Sequence, residues 1–326
     1  MEILITGSAG YIAGLLIKKL SADPSVSRII GIDLLPEPDS MKSDPKITWI
    51  QADLAIPGWE DRLPPDARID AVVHCAFKIR NPYGKKKAIQ KNNLDNCHRV
   101  FSFSVEHNVP KLMYLSTVSA YGAKPENIGK LLTETEPISE TENPYGYQKA
   151  ETERDLVAVL RSHDAATRAI VLRLNSVTGP VGQNLTSKFG LITFLKKILP
   201  FVVEADPAWA RQFVHEEDLI HIMELLIDAD LPKDGLNPMI FNIAPPKFLT
   251  AKDMGQLLHK KVLRVPHWVV RPAFFMAWHL SLGRIPTRPD SAMGLIYPIN
   301  VDGSRIEKAI DFHYAHTAED AFMGKA

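Results

Sequence analysis

The chain has 326 residues, 45% of them apolar and 23% charged, with 38 Lys and Arg balanced by 38 Asp and Glu. Zero net charge argues against a nucleic-acid binder, and the apolar fraction excludes a disordered chain. Two cysteines, Cys75 and Cys97, are too few for a disulfide scaffold or a thiolate-only zinc site, so a reducing, cytoplasmic compartment is expected.

Met1–Thr6 already reads as a strand, with no basic and apolar leader before it, so no signal peptide is expected. Further strands are predicted at 28–33, 47–51, 70–76, 111–116 and 169–174. These are nearly continuous apolar runs, as in strands covered on both faces. Helix patterns fall between them at 11–20, 86–107 and 145–160. This alternation predicts an α/β fold with a doubly wound parallel sheet of Rossmann type. After Gly179-Pro180 the rhythm changes. Helices are expected at 188–199, from Arg211–Asp218 on to Asp228, at 269–282 and at 303–310, with a strand at 239–243. Residues 1–180 then form a dinucleotide-binding domain and 181–326 a smaller C-terminal substrate lobe, with 212–245 returning to pack on the first. The apolar stretch 273–282, flanked by Arg271 and Arg284, is too short to span a bilayer.

Strand one ends in Thr6-Gly-Ser-Ala-Gly-Tyr-Ile-Ala-Gly14. Glycines three apart between a strand and a helix allow a tight turn and the approach of a pyrophosphate to a helix N-terminus. The third small position is Ala13, which still permits close helix–strand packing. Asp33 closes the second strand about twenty residues on, where a carboxylate accepts the adenosine ribose hydroxyls and repels a 2′-phosphate. NAD is therefore preferred over NADP. Asp53-Leu54, after the third strand, is placed to reach the adenine.

Tyr145-Gly-Tyr-Gln-Lys149 opens a helix after Asn143-Pro144. Residues i and i+4 share a face, so Lys149 is expected to lower the Tyr145 phenol from about 10 and ready it for proton transfer. Tyr147 lacks such a partner, since Glu151 stands at its i+4 position. At the end of the fifth strand, Ser116, Thr117 and Ser119 offer hydroxyls where parallel sheets bind ligands.

Taken together these motifs resemble the extended short-chain dehydrogenase/reductases, the NAD-dependent epimerase/dehydratase family. The resemblance rests on the glycine turn, Asp33, Asp70–Ala76, Asn93, Ser116–Gly122, Leu132–Glu134, Asn143–Lys149, Leu172-Arg173 with Gly179-Pro180, and Arg211–Asp218. It implies that Thr117, Tyr145 and Lys149 are catalytic and that Asn93 supports them. It implies that Gly7, Ala9, Gly10, Tyr11, Ile12, Asp33, Leu34, Asp53, Leu54, Cys75, Ala76, Phe77, Leu115, Tyr145, Lys149 and Ser176 contact NAD. Thr117, Ser176 and Arg211 would meet the substrate. A homodimer through the helices at 86–107 and 145–160 is implied as well.

Departures narrow the reading. Val118 and Ser119 follow Thr117 where 4,6-dehydratases resembling this family carry Asp-Glu, which argues against dehydration. Ser176 stands where many sugar-nucleotide epimerases have Asn. Arg211 either holds a diphosphate or braces Glu216, Glu217 or Asp218. The substrate lobe is rich in aromatic residues, Trp209, Phe248, Trp268, Phe274, Phe275 and Trp278, and the run Val265–Trp278 resembles the C-terminal helices of the hydroxysteroid-dehydrogenase branch. Core packing is the favoured reading for them, with an apolar pocket or a membrane-facing surface as the alternatives. Lys85-Lys86-Lys87 reads as a solvated face. The eleven histidines, His74, His313 and His316 among them, show no zinc spacing, and no metal is expected. The leading function is an NAD-dependent oxidoreductase interconverting a secondary alcohol and a ketone. A sugar-nucleotide epimerase and a non-catalytic NAD-binding sensor or scaffold are the alternatives. A small-molecule substrate is expected, with no nucleic acid and no integral membrane segment.

Overall fold

A computed structural model of the chain describes residues 1–80, 82–163, 166–185, 194–230, 237–285 and 287–326. The first half alternates strand and helix in chain order: β1 (Glu2–Thr6), α1 (Tyr11–Ser21), β2 (Arg28–Asp33), β3 (Ile47–Gln51), β4 (Ala71–His74), α2 (Lys86–Glu106), β5 (Lys111–Thr117), α3 (Pro144–Ser162) and β6 (Arg168–Leu174). A short β7 (Ser176–Thr178) and α4 (Pro180–Leu185) follow. Of the helix expected at 188–199, residues 188–193 lie outside the described residues, and Phe194–Ile198 is one π-helical turn.

The central sheet has seven parallel strands in the order β11-β6-β5-β4-β1-β2-β3, where β11 is Met239–Ile243. Each strand alternates its side chains between two cores, because successive residues point to opposite faces. Ile3, Ile5, Val73, Met113 and Ile170 enter one core. Leu4, Val72, Leu112, Tyr114 and Val171 enter the other. The first core is closed by α1 and by α5 (Glu216–Asp228), the second by α2 and α3. Burial of one such aliphatic side chain contributes roughly 1.5–3 kcal/mol. Both faces are therefore covered, which is why the strands read as apolar runs.

The remaining chain builds a third core from short elements, β8 (Phe201–Glu204), β9 (Ala210–Arg211), β10 (Phe213–His215), β12 (Leu249–Thr250), α6 (Ala251–Leu257), β13 (Lys261–Arg264), α7 (His267–Leu280), α8 (Met293–Ile296) and α10 (Ala318–Met323), while α9 (Ser304–Ala309) returns Ile306 to the first core. Val202, Trp209, Phe213, Leu249, Met254, Val270 and Phe322 are buried in the third core. The aromatic residues divide. Trp209 is core and Phe274 packs against that core, whereas Phe248, Trp268 and Phe275 are exposed, which corrects the expectation of core packing for those three.

The start of α3 is set by local chemistry. Asn143 caps it, accepting from the backbone N–H of Tyr145 (3.0 Å) and Gly146 (3.4 Å), and Pro144 fills the first turn. A Cβ on Gly146 would lie 2.3 Å from the Ser119 carbonyl oxygen, so only glycine lets α3 close on the end of β5. Replacing it should be costly. Gly146→Ala is expected to lose about 1–3 kcal/mol in urea unfolding. Gly294→Ala, where nothing lies within 4 Å of the new Cβ, is expected to lose less than about 0.5 kcal/mol.

Candidate active site

Strand order reverses between β1 and β4, since the chain adds β2 and β3 on one side and β4, β5 and β6 on the other. Ligands of such sheets bind at the carboxyl ends of the strands at this point. Thr6 and His74 are paired there. Gly7 has φ +67°, and a Cβ on it would lie 2.7 Å from the Ala76 backbone, so glycine brings the turn onto Cys75-Ala76. The Thr6 hydroxyl oxygen accepts from the Ala76 N–H (3.4 Å) and lies 2.7 Å from His74 Nδ1. Burial drives His74 down to about 3, so its imidazole is a neutral structural group.

Helix α1 begins at Tyr11 after Gly10, with no capping side chain and no acid in its first turn. An eleven-residue helix starting that way offers N–H groups to an anion, which fits the phosphates of a dinucleotide. Asp33 is anchored across the turn. Its Oδ2 accepts from the Ala9 N–H (3.0 Å) and its Oδ1 from the Leu35 N–H (2.9 Å). Asp53 accepts from the Ala55 N–H (3.0 Å) and from Asn92 Nδ2 (3.4 Å). The Leu54 side chain is buried in the second core. Leu34 is exposed beside the turn, and its carbonyl accepts from Gln51 (3.0 Å).

The structure gathers Thr117, Tyr145, Lys149 and Phe77 at the ends of β4 and β5. Thr117 Oγ1 accepts from the Ser119 N–H (3.2 Å) and donates to the Leu174 carbonyl (3.4 Å), and it is near enough to the Tyr145 phenol to favour its anion. The Tyr145 ring packs edge-on against Phe77, with centroids 5.8 Å apart. Lys149 Nζ donates to the Leu115 carbonyl (2.5 Å) and lies 3.8 Å from the Phe77 centroid and 4.5 Å from that of Tyr114. The expected electrostatics are therefore corrected. Burial pushes the Tyr145 phenol up to about 12, with only the Thr117 hydroxyl pulling it down. Burial also brings Lys149 down to about 8. Helical spacing puts the two groups on one face, but the ammonium turns inward to a carbonyl and two rings. Asn93, fully buried, donates to Gln148 Oε1 (2.8 Å) and to the Lys78 carbonyl (3.0 Å), and accepts from the Lys78 N–H (2.9 Å). It clamps the segment after β4 to α3.

Beneath this group lies a pair that the sequence reading missed. Arg173 donates through Nε and Nη2 to Glu153 (2.8–3.2 Å), both side chains being about 4% exposed. Glu153 also accepts from Ser116. Arg173 Nη1 donates to the Tyr121 hydroxyl (2.7 Å), which donates to Asn242 (2.8 Å). The Asn242 backbone N–H donates to the Glu134 carboxylate (2.8 Å). These contacts explain the Ser116–Gly122, Leu132–Glu134 and Leu172-Arg173 motifs as framework. A signal for them existed: Glu153 continues the buried Tyr145–Lys149 stripe of α3, where a carboxylate needs a partner.

A family model described as "NAD dependent epimerase/dehydratase family" matches residues 3–244. The chain belongs to that family. A UDP-glucose 4-epimerase of Azospirillum brasilense is 28% identical over 69% of this chain and 68% of its own length. A trifunctional UDP-glucose 4,6-dehydratase/UDP-4-keto-6-deoxy-D-glucose 3,5-epimerase/UDP-4-keto-L-rhamnose-reductase of Arabidopsis thaliana is 27% identical over 69% of this chain. The chain spans only 35% of that protein's length. Among solved structures, the UDP-glucose 4-epimerase of Thermotoga maritima with UDP-glucose superposes with a TM-score of 0.73 at 19% identity, covering 99% of this chain and 97% of that one. MoeE5 in complex with UDP-glucuronic acid and NAD matches with the same score, identity and coverage.

Two further contacts border this cluster. Tyr11, in the first turn of α1, donates its hydroxyl to Glu216, whose carboxylate also accepts from the N–H groups of Val181 and Gly182 (both 2.8 Å). Burial first, and then Glu216, raise the Tyr11 phenol. Glu216 thus ties the dinucleotide turn to the start of α4. Arg211 braces none of Glu216, Glu217 and Asp218 among the described ion pairs. Its Nε donates to Ser176 Oγ (2.7 Å), and burial lowers its pKa.

Elsewhere, burial pushes the thiols of Cys75 and Cys97 up to about 12, which favours the neutral thiol at both. His215, Glu217 and His316 do come together, a grouping their sequence spacing hides. The two imidazoles stack at 3.7 Å, and their nitrogens already face the Glu217 N–H, the Lys325 carbonyl, Asp218 and Glu217. This cluster holds the C-terminal segment in place.

The raised phenol is open to measurement. Without added dinucleotide, the tyrosinate absorbance that distinguishes wild type from Tyr145→Phe should appear only above about pH 11. Its appearance near pH 8 would mean that a cation already faces the phenol.

Proposed function

We propose that the protein is an NAD-dependent oxidoreductase that interconverts a secondary alcohol and a ketone through Thr117, Tyr145 and Lys149. The observation that carries this is the meeting of a hydroxyl, a phenol and an ammonium around Phe77, at the strand ends beside the Gly7–Ala9 turn. The N–H groups at Tyr11 and Ile12 would hold the diphosphate of NAD and Asp33 its adenosine ribose, with Cys75, Ala76 and Phe77 along the cleft. Bound NAD supplies the hydride acceptor, and its reduced form the donor.

The chain's own residues move the proton. Thr117 orients the substrate oxygen. A phenol near 12 is protonated at neutral pH, which is the form that donates to a ketone oxygen. The oxidative direction needs the phenolate. Lys149 supports it by leaving the Leu115 carbonyl for the phenol and the nicotinamide ribose, since a nearby ammonium favours the anion. Asn93 keeps the Lys78 segment and α3 in register throughout.

A second reading, a sugar-nucleotide epimerase, is favoured by Arg211. A half-buried guanidinium with no carboxylate partner among the described residues is well placed to meet an anion, and a diphosphate takes its planar donors well. Two of the relatives above are UDP-glucose 4-epimerases. Dehydration is not proposed, because Val118 and Ser119 carry no carboxyl beside Thr117. A homodimer through the outer faces of α2 and α3 and a cytoplasmic location belong to the same proposal. Among the described residues no helix is long and apolar enough to cross a membrane.

Incubation with NAD and either a panel of secondary alcohols or UDP-glucose separates the readings. Net cofactor reduction marks the dehydrogenase, and sugar inversion without net reduction marks the epimerase. In either case Tyr145→Phe should lower turnover at least ~100-fold with near-normal NAD binding. Arg211→Met should raise KM for the sugar nucleotide alone. Full activity of the Tyr145→Phe enzyme would refute the assigned role.

A further inference from the structure

Helix α7 is the most exposed apolar element of the chain. Trp268 is 78% and Leu280 81% exposed, and Phe275 and Met276 are more than half exposed. At 100° per residue Trp268, Pro272, Phe275, Met276 and His279 fall on one face. Val270, on the opposite face, is buried in the third core. The outward stripe is therefore a feature of a folded, packed helix. Leu282 extends it past the C-terminus.

The stretch of chain that carries this stripe is basic, and carboxylates of other segments, Glu142, Glu204, Asp206 and Asp290, face it. Residues 260–289 contain six Lys and Arg and no Asp or Glu, in a chain of zero net charge. Acids from other elements pair some of these cations: Glu142 with Arg271, Glu204 with Arg264 and Asp290 with Arg288. Lys260 is turned into three backbone carbonyls. Lys261 and Arg284 make no ion pair among the described residues. Tyr83 brings a second basic run to the same face. Its hydroxyl lies 3.0 Å from His279 Nδ1 and its ring 6.0 Å from that of Trp278, two residues before the exposed Lys85-Lys86-Lys87.

We propose that this face docks on an anionic phospholipid surface, with α7 lying in the headgroup plane. Trp, Phe and Leu on one side of a short helix and Lys and Arg around it match a bilayer interface, where apolar burial and attraction to anionic headgroups add. A second copy of the chain would bring the same positive charge against itself, which disfavours a symmetric self-interface.

Co-sedimentation of the full chain with vesicles tests this. Wild type should bind phosphatidylcholine vesicles containing phosphatidylglycerol at least ~10-fold more strongly than phosphatidylcholine alone, and lose most of that binding at high salt. Trp268→Ser with Leu280→Ser should reduce binding at least ~10-fold, and Lys261→Glu with Arg284→Glu should remove the preference for anionic lipid, with unfolding midpoints unchanged. Two results would overturn the proposal. One is the absence of wild-type binding to either vesicle. The other is an assembly of wild-type chains that the Trp268→Ser, Leu280→Ser variant dissociates, which would make the face a contact between copies.

Discussion

The site depends on one buried ion pair. Glu153 on α3 and Arg173 on β6 meet with four-atom contact in a region closed to water. The same carboxylate takes the Ser116 hydroxyl on β5, so a single group ties α3 to two strands. Desolvating both charges is expensive, and such a pair is a poor source of net stability. Its contribution is register. A carboxylate left alone at that depth would be far costlier than the pair, so α3 can sit on the sheet in only one way. Tyr145 and Lys149 stand two turns and one turn before Glu153 on the same stripe and inherit that placement.

A second tie acts at the other edge of the cleft. Tyr11 sits where the dinucleotide turn becomes α1, and Glu216 sits at the start of α5. Their contact, with two N–H groups of α4 on the same carboxylate, links the phosphate-facing turn to the chain that leads into the third core. Movement of α4 would then be felt at the turn. Asn93 serves the catalytic side in the same manner, holding the Lys78 segment against α3.

Much of this was legible in the sequence because local rules decide it. The strands at 28–33, 47–51 and 239–243 have the bounds their apolar runs predict, and the helix at 145 opens where Asn143-Pro144 says it should. The positions of the glycine turn and of Asp33 follow from the same logic. What could not be read were choices made by tertiary contact. Spacing put Lys149 on the face of Tyr145 but did not choose between a phenol and the Leu115 carbonyl as its partner. Glu153 and Arg173 are 20 residues apart, and Tyr11 and Glu216 are 205 apart, so neither pair leaves a local pattern. Composition marked the aromatic residues of the last third without showing that Trp209 faces a core and Trp268 faces water.

The most direct test is a double-mutant cycle on Glu153→Ala and Arg173→Ala, read by urea unfolding. Each single change should destabilise by about 3–5 kcal/mol, and the double variant should lose less than their sum by about 2 kcal/mol or more. Additivity within about 0.5 kcal/mol would mean that the two side chains do not depend on one another. The account of how α3 is held would then be wrong.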